Sequence, residues 1–164
     1  MNIFIVMIFA VIALAVLIIV FAIKEEIVFR SNKKFVKEHG DNIFYNVTYD
    51  MKSVHRVENE ITCVQNRIKK IIKSFYPRSV ALLCDFEIDL LELKKRILKH
   101  EISQILKRYK TPNEYLHWLL THGAERTDLE RWQEYFNIAT EKEVTEEQMI
   151  EVVAKKLAKE YGIT

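Results

Sequence analysis

The chain has 164 residues, of which 49% are hydrophobic, and its 25 basic and 23 acidic side chains leave a net charge of +2. Only three glycines and two prolines occur. That scarcity argues against a turn-rich sheet protein and against a glycine-rich phosphate-binding loop. The composition therefore predicts an all-α fold built from long helices.

The first 23 residues carry no charged side chain, and Asn2 is their one polar residue. A helix of that length spans about 30 Å, the thickness of the hydrocarbon core of a bilayer. We predict a single-pass membrane protein with a transmembrane helix at residues 1–23. A cleaved signal peptide is the main alternative, with Val20-Phe21-Ala22 as its cleavage site. The run lacks a basic N-terminal region, and it is longer and more uniformly apolar than a signal peptide or a core helix requires.

Basic residues follow the apolar run and none precedes it, which predicts a cytoplasmic location for the remaining 141 residues by the positive-inside rule. The residues concerned are Lys24, Arg30, Lys33, Lys34 and Lys37. Residues 24–110 carry 19 basic and 12 acidic side chains, a net charge of +7, whereas residues 111–164 carry 6 basic and 11 acidic ones, a net charge of −5. The membrane-near part therefore suits anionic lipid headgroups or an acidic partner.

Residues 24–53 form the predicted juxtamembrane segment and connector. We expect the membrane helix to continue through residues 24–38 and to end at Gly40. Apolar residues at alternate positions of residues 43–51 have the period of a strand. This stretch is predicted to be an extended connector or a short strand, with helix left open.

A heptad-like pattern is the clearest signal beyond the connector. Apolar residues recur at gaps of three and four over three heptads, the spacing of a coiled-coil seam. This predicted seam consists of Val54, Val57, Ile61, Val64, Ile68, Ile71 and Phe75. It is compatible both with a homo-oligomer and with packing against another helix of the same chain. Pro77 is expected to end the helix.

The C-terminal part of that helix is basic, because residues 61–84 contain no acidic side chain. The candidate residues for contact with an anionic partner are Arg67, Lys69, Lys70, Lys73 and Arg78. A solvated helix face is the competing interpretation. Aromatic residues do not alternate with these cations as they do on surfaces that stack bases, which disfavours nucleic acid as a partner.

Residues 80–109 have a mainly helical pattern, and Ser79 is a candidate N-cap. Two apolar faces predict a helix with neighbours on both sides. Residues 82–90 also alternate as a strand does, so strand remains open there. Residues 54–110 are accordingly predicted to be two long helices that form a stalk or a hairpin.

Residues 111–164 contain three capping boxes, which begin at Thr111, Thr127 and Thr145. They predict a three-helix acidic head with helices at residues 112–122, 128–138 and 146–161; Gly123 and Gly162 end the first and third. The expected core of this head is Trp118, Leu119, Leu129, Trp132, Tyr135, Phe136, Met149, Val153 and Leu157. Trp118 and Trp132 are also candidates for docking a partner, because tryptophan is enriched at interface hot spots.

Motifs for chemistry are missing from the sequence. Cys63 and Cys84 are too far apart for a CxxC motif, and His117 and His122 lack the i, i+4 spacing of two metal ligands. Carboxylates at residues 85, 87 and 89 would share a face, and so offer a cation site, only in a strand. We therefore predict no catalytic residue, no metal and no cofactor.

Together these features predict a non-catalytic, membrane-anchored interaction or assembly subunit of a larger membrane complex. Its expected partners are membrane lipid, other protein subunits and a second copy of itself. Two alternatives remain: an extracytoplasmic envelope coiled-coil protein of the division or phage-lysis type, and a binder of lipid headgroups or nucleic acid through the basic stalk.

Overall fold

A computed structural model describes residues 3–74 and 76–141 of the chain. The described residues form five α-helices and a short 3-10 helix, and they contain no β-strand. The predicted all-α class is therefore confirmed for them. The helices are α1 (Ile3–Tyr45), α2 (Met51–Ile71), α3 (Pro77–Arg108), α4 (Pro112–Thr121) and α5 (Arg126–Thr140), and the 3-10 helix Ile72–Ser74 follows α2.

Helix α1 has 43 residues and is about 64 Å long. From residue 7 to residue 23 its side chains are exposed on all sides, and by length and composition this apolar part suits a membrane span or a signal sequence. The prediction that α1 ends at Gly40 is wrong. Gly40 is helical and buried, and a Cβ there would lie 3.6 Å from Cε2 of Phe86. The glycine thus gives α3 room to pack, and the helix continues to Tyr45.

The connector between α1 and α2 is a short polar turn, so the alternating pattern of residues 43–51 does not indicate a strand. Asp50 is the N-cap of α2, and its Oδ1 accepts a hydrogen bond from the Ser53 backbone N–H at 2.8 Å. This backbone hydrogen bond is the main influence that lowers the pKa of Asp50. An acidic N-cap satisfies a free N–H group at the helix start and thereby fixes where α2 begins.

Helix α3 lies at the centre of the packed region, with α1, α2 and α5 against it. Helices α2 and α3 run antiparallel, because Gln65 pairs with Glu87 and Glu58 pairs with Lys94. Both predicted apolar faces of α3 are buried, which explains the change of register along it. We call the packed region, residues 24–141, the helical domain. Its core consists of Phe35, Ile43, Val54, Val57, Ile61, Val64, Ile68, Ile72, Leu83, Phe86, Leu90, Leu93, Ile97, Leu98, Ile102, Tyr135 and Phe136.

Two predictions about the N-terminal half of α3 are wrong: the strand alternative and the position of the N-cap. Residues 82–90 are helical, so the strand alternative is wrong. Tyr76 occupies the N-cap, followed by Pro77 as the first helical residue, and Ser79 is the third residue of the helix and is buried. The predicted Ser79 cap is therefore wrong. Proline fits the first turn because its missing N–H would have had no helical partner there.

The predicted head is described up to residue 141. Thr111 caps α4 as predicted: its hydroxyl accepts from the Glu114 N–H at 3.3 Å. Helix α4 ends before Gly123, which has a φ of 85°, a conformation that glycine adopts readily. The Thr127 capping box is wrong, since Glu125 and Asp128 form the reciprocal cap and α5 begins at Arg126. The third predicted helix, with Met149, Val153, Leu157 and Gly162, lies outside the described residues.

Candidate membrane-proximal interface

The turn between α2 and α3 lies beside the end of the apolar run of α1. The rings of Tyr76 and Phe21 are stacked, with centroids 6.1 Å apart and planes 19° from parallel. Two turns further along α1, the Arg78 guanidinium lies 4.3 Å from the centroid of the Phe29 ring and 3.3 Å from Oε2 of Glu26. The turn is therefore fixed at the level where α1 changes from apolar to charged.

A second set of contacts holds α2 against α1 just beyond this turn. Nε of Arg67 donates to Oδ1 of the buried Asn32 at 2.5 Å, and its guanidinium lies 4.4 Å from the centroid of the Phe35 ring. Nearer the other end of α2, Arg56 donates to Oδ1 of Asn42 at 2.7 Å. These pairs show that α2 runs back along α1, antiparallel to it.

The five cations predicted to meet an anionic partner divide into two groups. Arg67 and Arg78 contact side chains of α1, as described above. Lys69, Lys70 and Lys73 are exposed to solvent around the end of α2 and the turn. The two arginines thus position the turn, whereas the side chains of the three lysines stay exposed.

The predicted seam lies inside the chain. Val54, Val57, Ile61, Val64 and Ile68 are buried in the core, Ile71 is half-buried, and Phe75 lies outside the described residues. The structure thus shows packing of α2 against another helix of the same chain, the second of the two interpretations. Self-association through these residues stays a prediction, and it would require this packing to open.

A polar cluster joins α2, α3 and α5 where α5 attaches to the rest of the helical domain. Oε1 of Glu58 accepts from Lys94 Nζ at 2.9 Å and from the Tyr135 hydroxyl at 3.2 Å. Oε2 of Glu58 lies 3.3 Å from Nδ1 of His55. The Lys94 ammonium also lies 5.5 Å from the centroid of the Tyr135 ring, within the range of a cation–π contact. One carboxylate thus links three helices.

The pKa values in this cluster are shifted as its geometry requires. Burial, together with the charge of Glu58, raises the pKa of Tyr135 to about 12. The pKa of Glu58 is lowered, because hydrogen bonds and the charge of Lys94 outweigh burial, which alone would raise it. Glu58 is thus ionised and Tyr135 protonated at neutral pH. With these protonation states the hydrogen bond between Glu58 and Tyr135 is kept at neutral pH, so the cluster holds α5 against α2.

An aromatic surface covers α4 and the facing side of α5. Tyr115 stacks on Trp118 and meets Trp132 edge-on, with centroids 6.1 Å and 5.1 Å apart. Trp118 is 40% exposed and Leu120 is 56% exposed. Of the residues predicted to fill the core of the head, Tyr135 and Phe136 are buried, whereas Trp118 is exposed and Leu119, Leu129 and Trp132 are only half-buried.

The residues considered for metal binding are dispersed. Asp85, Glu87 and Asp89 lie on a helix, so they do not share the single face that a strand would have given them. Glu87 is buried and accepts from Gln65 at 2.7 Å. Across residues 3–74 and 76–141, no three His, Cys, Asp or Glu side chains are grouped so as to hold a metal ion. Cys63 and Cys84 are not joined in a disulfide, and Cys63 is exposed.

No family model, curated protein or solved structure matched this chain when it was compared with them.

The Glu58 cluster and the location of the turn are the features that the sequence analysis missed. Glu58 and Tyr135 are 77 residues apart, and no local pattern links them. The location of the α2–α3 turn beside the apolar run could have been predicted from helix lengths. Helix α2 has 21 residues, and residues 24–45 of α1 form a segment of almost the same length. A helix of that length that returns along α1 ends beside the apolar run.

Proposed function

We propose that this chain is a non-catalytic, single-pass membrane-anchored interaction or assembly subunit of a larger membrane complex. Helix α1 would span the bilayer with its apolar part and contribute its remaining turns to the helical domain. The carrying observation is the continuity of α1, which runs from the apolar run to Tyr45 and packs its last turns against α3. Such a helix would hold the domain at a fixed height above the membrane.

The contact between Phe21 and Tyr76 supports a retained span over a cleaved signal peptide. Cleavage after Ala22 would remove the Phe21 ring on which Tyr76 stacks. It would also expose a new chain end next to Glu26, whose carboxylate interacts with Arg30 and Arg78. The membrane-proximal packing of the turn therefore favours an intact α1.

The aromatic surface of α4 and α5 supports the interaction role. None of the ten residues of α4 is buried, although half of them are apolar or aromatic. Large apolar side chains that contribute little to a core are common where a partner covers them. Trp118 and Leu120 are accordingly the proposed contact residues for another subunit.

Carbonate extraction and vesicle flotation of the full-length chain test the anchor. We expect the chain to stay with the membrane at high pH and to float with vesicles of neutral phosphatidylcholine. An uncleaved chain that remains in the supernatant would contradict the proposal.

Labelling with a membrane-impermeant maleimide tests the orientation. The exposed Cys63 serves as the probe in a Cys84→Ala background. A cytoplasmic domain predicts no labelling in intact cells and full labelling after permeabilisation. The matched control, Asn2→Cys with both native cysteines replaced by Ala, should show labelling in intact cells. The reverse pattern would favour the extracytoplasmic alternative.

Quantitative co-purification in mild detergent tests the contact surface. We expect Trp118→Ala to lose a stoichiometric subunit that the native chain retains. Leu91→Ala is the matched control, because it removes an apolar side chain that is 47% exposed on α3. A subunit retained equally by both variants would place the contact elsewhere.

A further inference from the structure

We propose that Lys69, Lys70 and Lys73 form a binding site for the phosphate groups of anionic lipids. These lipids would lie in the membrane leaflet that faces the helical domain. This proposal rests on the proposed span and adds a ligand to it. Its basis is the location of the α2–α3 turn, which the Tyr76–Phe21 and Arg78–Glu26 contacts hold against the end of the apolar run.

The height of the lysines follows from that location. Phe21 lies within the last three residues of the apolar run, so its stacking partner Tyr76 lies at headgroup level, where tyrosine is enriched. Lys73 lies in the 3-10 helix just before this point, and Lys69 and Lys70 lie about one helical turn, roughly 5.4 Å, further back. Lysine side chains at this depth extend readily to lipid phosphates.

The electrostatic surroundings leave these lysines as a site for an anion. Residues 61–84 contain no acidic side chain. Glu26, the acidic residue that contacts the turn, is already paired with Arg30 at 2.8 Å and with Arg78 at 3.3 Å. The charge of Glu26 is therefore offset, and at the end of the apolar run the charge of the exposed Lys24 balances that of the adjacent Glu25.

The two arginines have a different part in this site. Arg67 is held by Asn32 and Phe35, and Arg78 by Glu26 and Phe29. Both therefore act as positioning residues that fix the turn against α1. The distinction matters for the test, because lysine substitutions remove charge without loosening the turn.

Native mass spectrometry of the full-length chain in mild detergent provides the measurement. The chain is titrated with phosphatidylglycerol and, separately, with phosphatidylcholine of the same acyl chains. A lysine near an anionic surface contributes about fivefold to affinity, so three that act independently would give about a hundredfold. We expect a preference for phosphatidylglycerol of at least about tenfold, because three neighbouring lysines share the same lipid phosphates. Equal affinity for the two lipids would overturn the proposal.

Three variants locate the site. Lys69→Gln, Lys70→Gln and Lys73→Gln combined should reduce the preference to about twofold or less, and the corresponding triple Arg variant should retain it because the charge is kept. The matched control replaces Lys107, Arg108 and Lys110 with Gln at and just beyond the far end of α3, where all three are exposed. The site proposal fails if the Gln variant at the turn keeps the preference, or if the control loses it equally.

Two further arms distinguish the source of the phosphate. Glycerol 3-phosphate and a short single-stranded oligonucleotide are each offered to the native chain. Lysine-dependent binding of either, as tight as that of phosphatidylglycerol, would overturn the assignment to lipid. Vesicle flotation distinguishes failure of the lysine site from failure of the membrane span. A chain that floats with neutral vesicles but shows no anionic preference has the anchor without the site.

Discussion

Helices α3 and α4 both carry many apolar residues, but they are packed very differently. Helix α3 lies between α1, α2 and α5 and buries large aliphatic side chains along most of its length. Helix α4 contacts chiefly α5 and buries none of its residues. The difference teaches that apolar residues form the core around α3, whereas on α4 some pack only against the edge of that core and others, such as Leu120, stay exposed.

The polar contacts differ between the two regions as well. Around α3, charged side chains cross from one helix to another, as Glu58 and Lys94 do. Among residues 76–141, the polar contacts of α4 stay local: Thr121 and His122 both bond to the Trp118 carbonyl.

Leu90→Ala should give the largest loss of stability. Leu90 is fully buried in α3, and a Leu→Ala change at such a site lowers the free energy of unfolding by about 2–5 kcal/mol, because it leaves a cavity. Urea unfolding of the full-length chain in mild detergent, followed by circular dichroism, measures this. Leu91→Ala at the next, exposed position should cost no more than about 0.5 kcal/mol. Equal effects at the two positions would contradict the burial pattern of α3.

Lys94→Met should lower the free energy of unfolding by about 2 kcal/mol. Glu58 would keep its half-buried carboxylate but lose its cation, and the loss is smaller than for a fully buried pair because solvent screens it. The same unfolding experiment measures it. Lys107→Met is the control, since Lys107 is exposed and donates to Gln104 within its own helix. A Lys94 variant as stable as this control would show that Glu58 does not need its partner.

Tyr135→Phe should lower the free energy of unfolding by about 1.5 kcal/mol at neutral pH, which is the lower end of the range for a hydrogen bond to a charged acceptor. Because the pKa of Tyr135 is raised to about 12 from 10, the folded state holds the phenolic proton more tightly than the unfolded state. The resulting stabilisation is complete below pH 10 and is lost as the pH rises to 12. The stability gap between native chain and variant should therefore narrow over that range. A constant gap would contradict the raised pKa.

Periodicity predicted most of the helices, because it records which side chains can share one face. Val57, Ile61 and Val64 were recognised as one apolar stripe, and they are buried together. The spacing is the same whether the stripe meets α3 or a second copy of α2, so it could not identify the neighbour. Only the tertiary arrangement supplies that information.

Local end signals were less informative where packing competes with them. Gly40 has the residue type of a helix stop, but α1 continues because its smallest residue faces Phe86. Thr127 and Glu125 are each followed, three residues later, by an acidic residue that can complete a reciprocal cap. The cap that forms is the one at Glu125. The lysines at the turn were recognisable from charge alone, whereas their nearness to the apolar run depends on α2 returning along α1.

Leu120→Ala should have the smallest effect on folding, no more than about 0.5 kcal/mol, because its side chain is 56% exposed and leaves no cavity. If α4 keeps its apolar side chains for a partner, the same variant should nevertheless weaken retention of the subunit that depends on Trp118. Unfolding and co-purification measured on one preparation separate the two effects. A variant that lost stability as Leu90→Ala does would place α4 in the core. A variant unchanged in both measurements would show that Leu120 is not part of the contact surface, because its side chain would then contribute neither to stability nor to binding of the subunit.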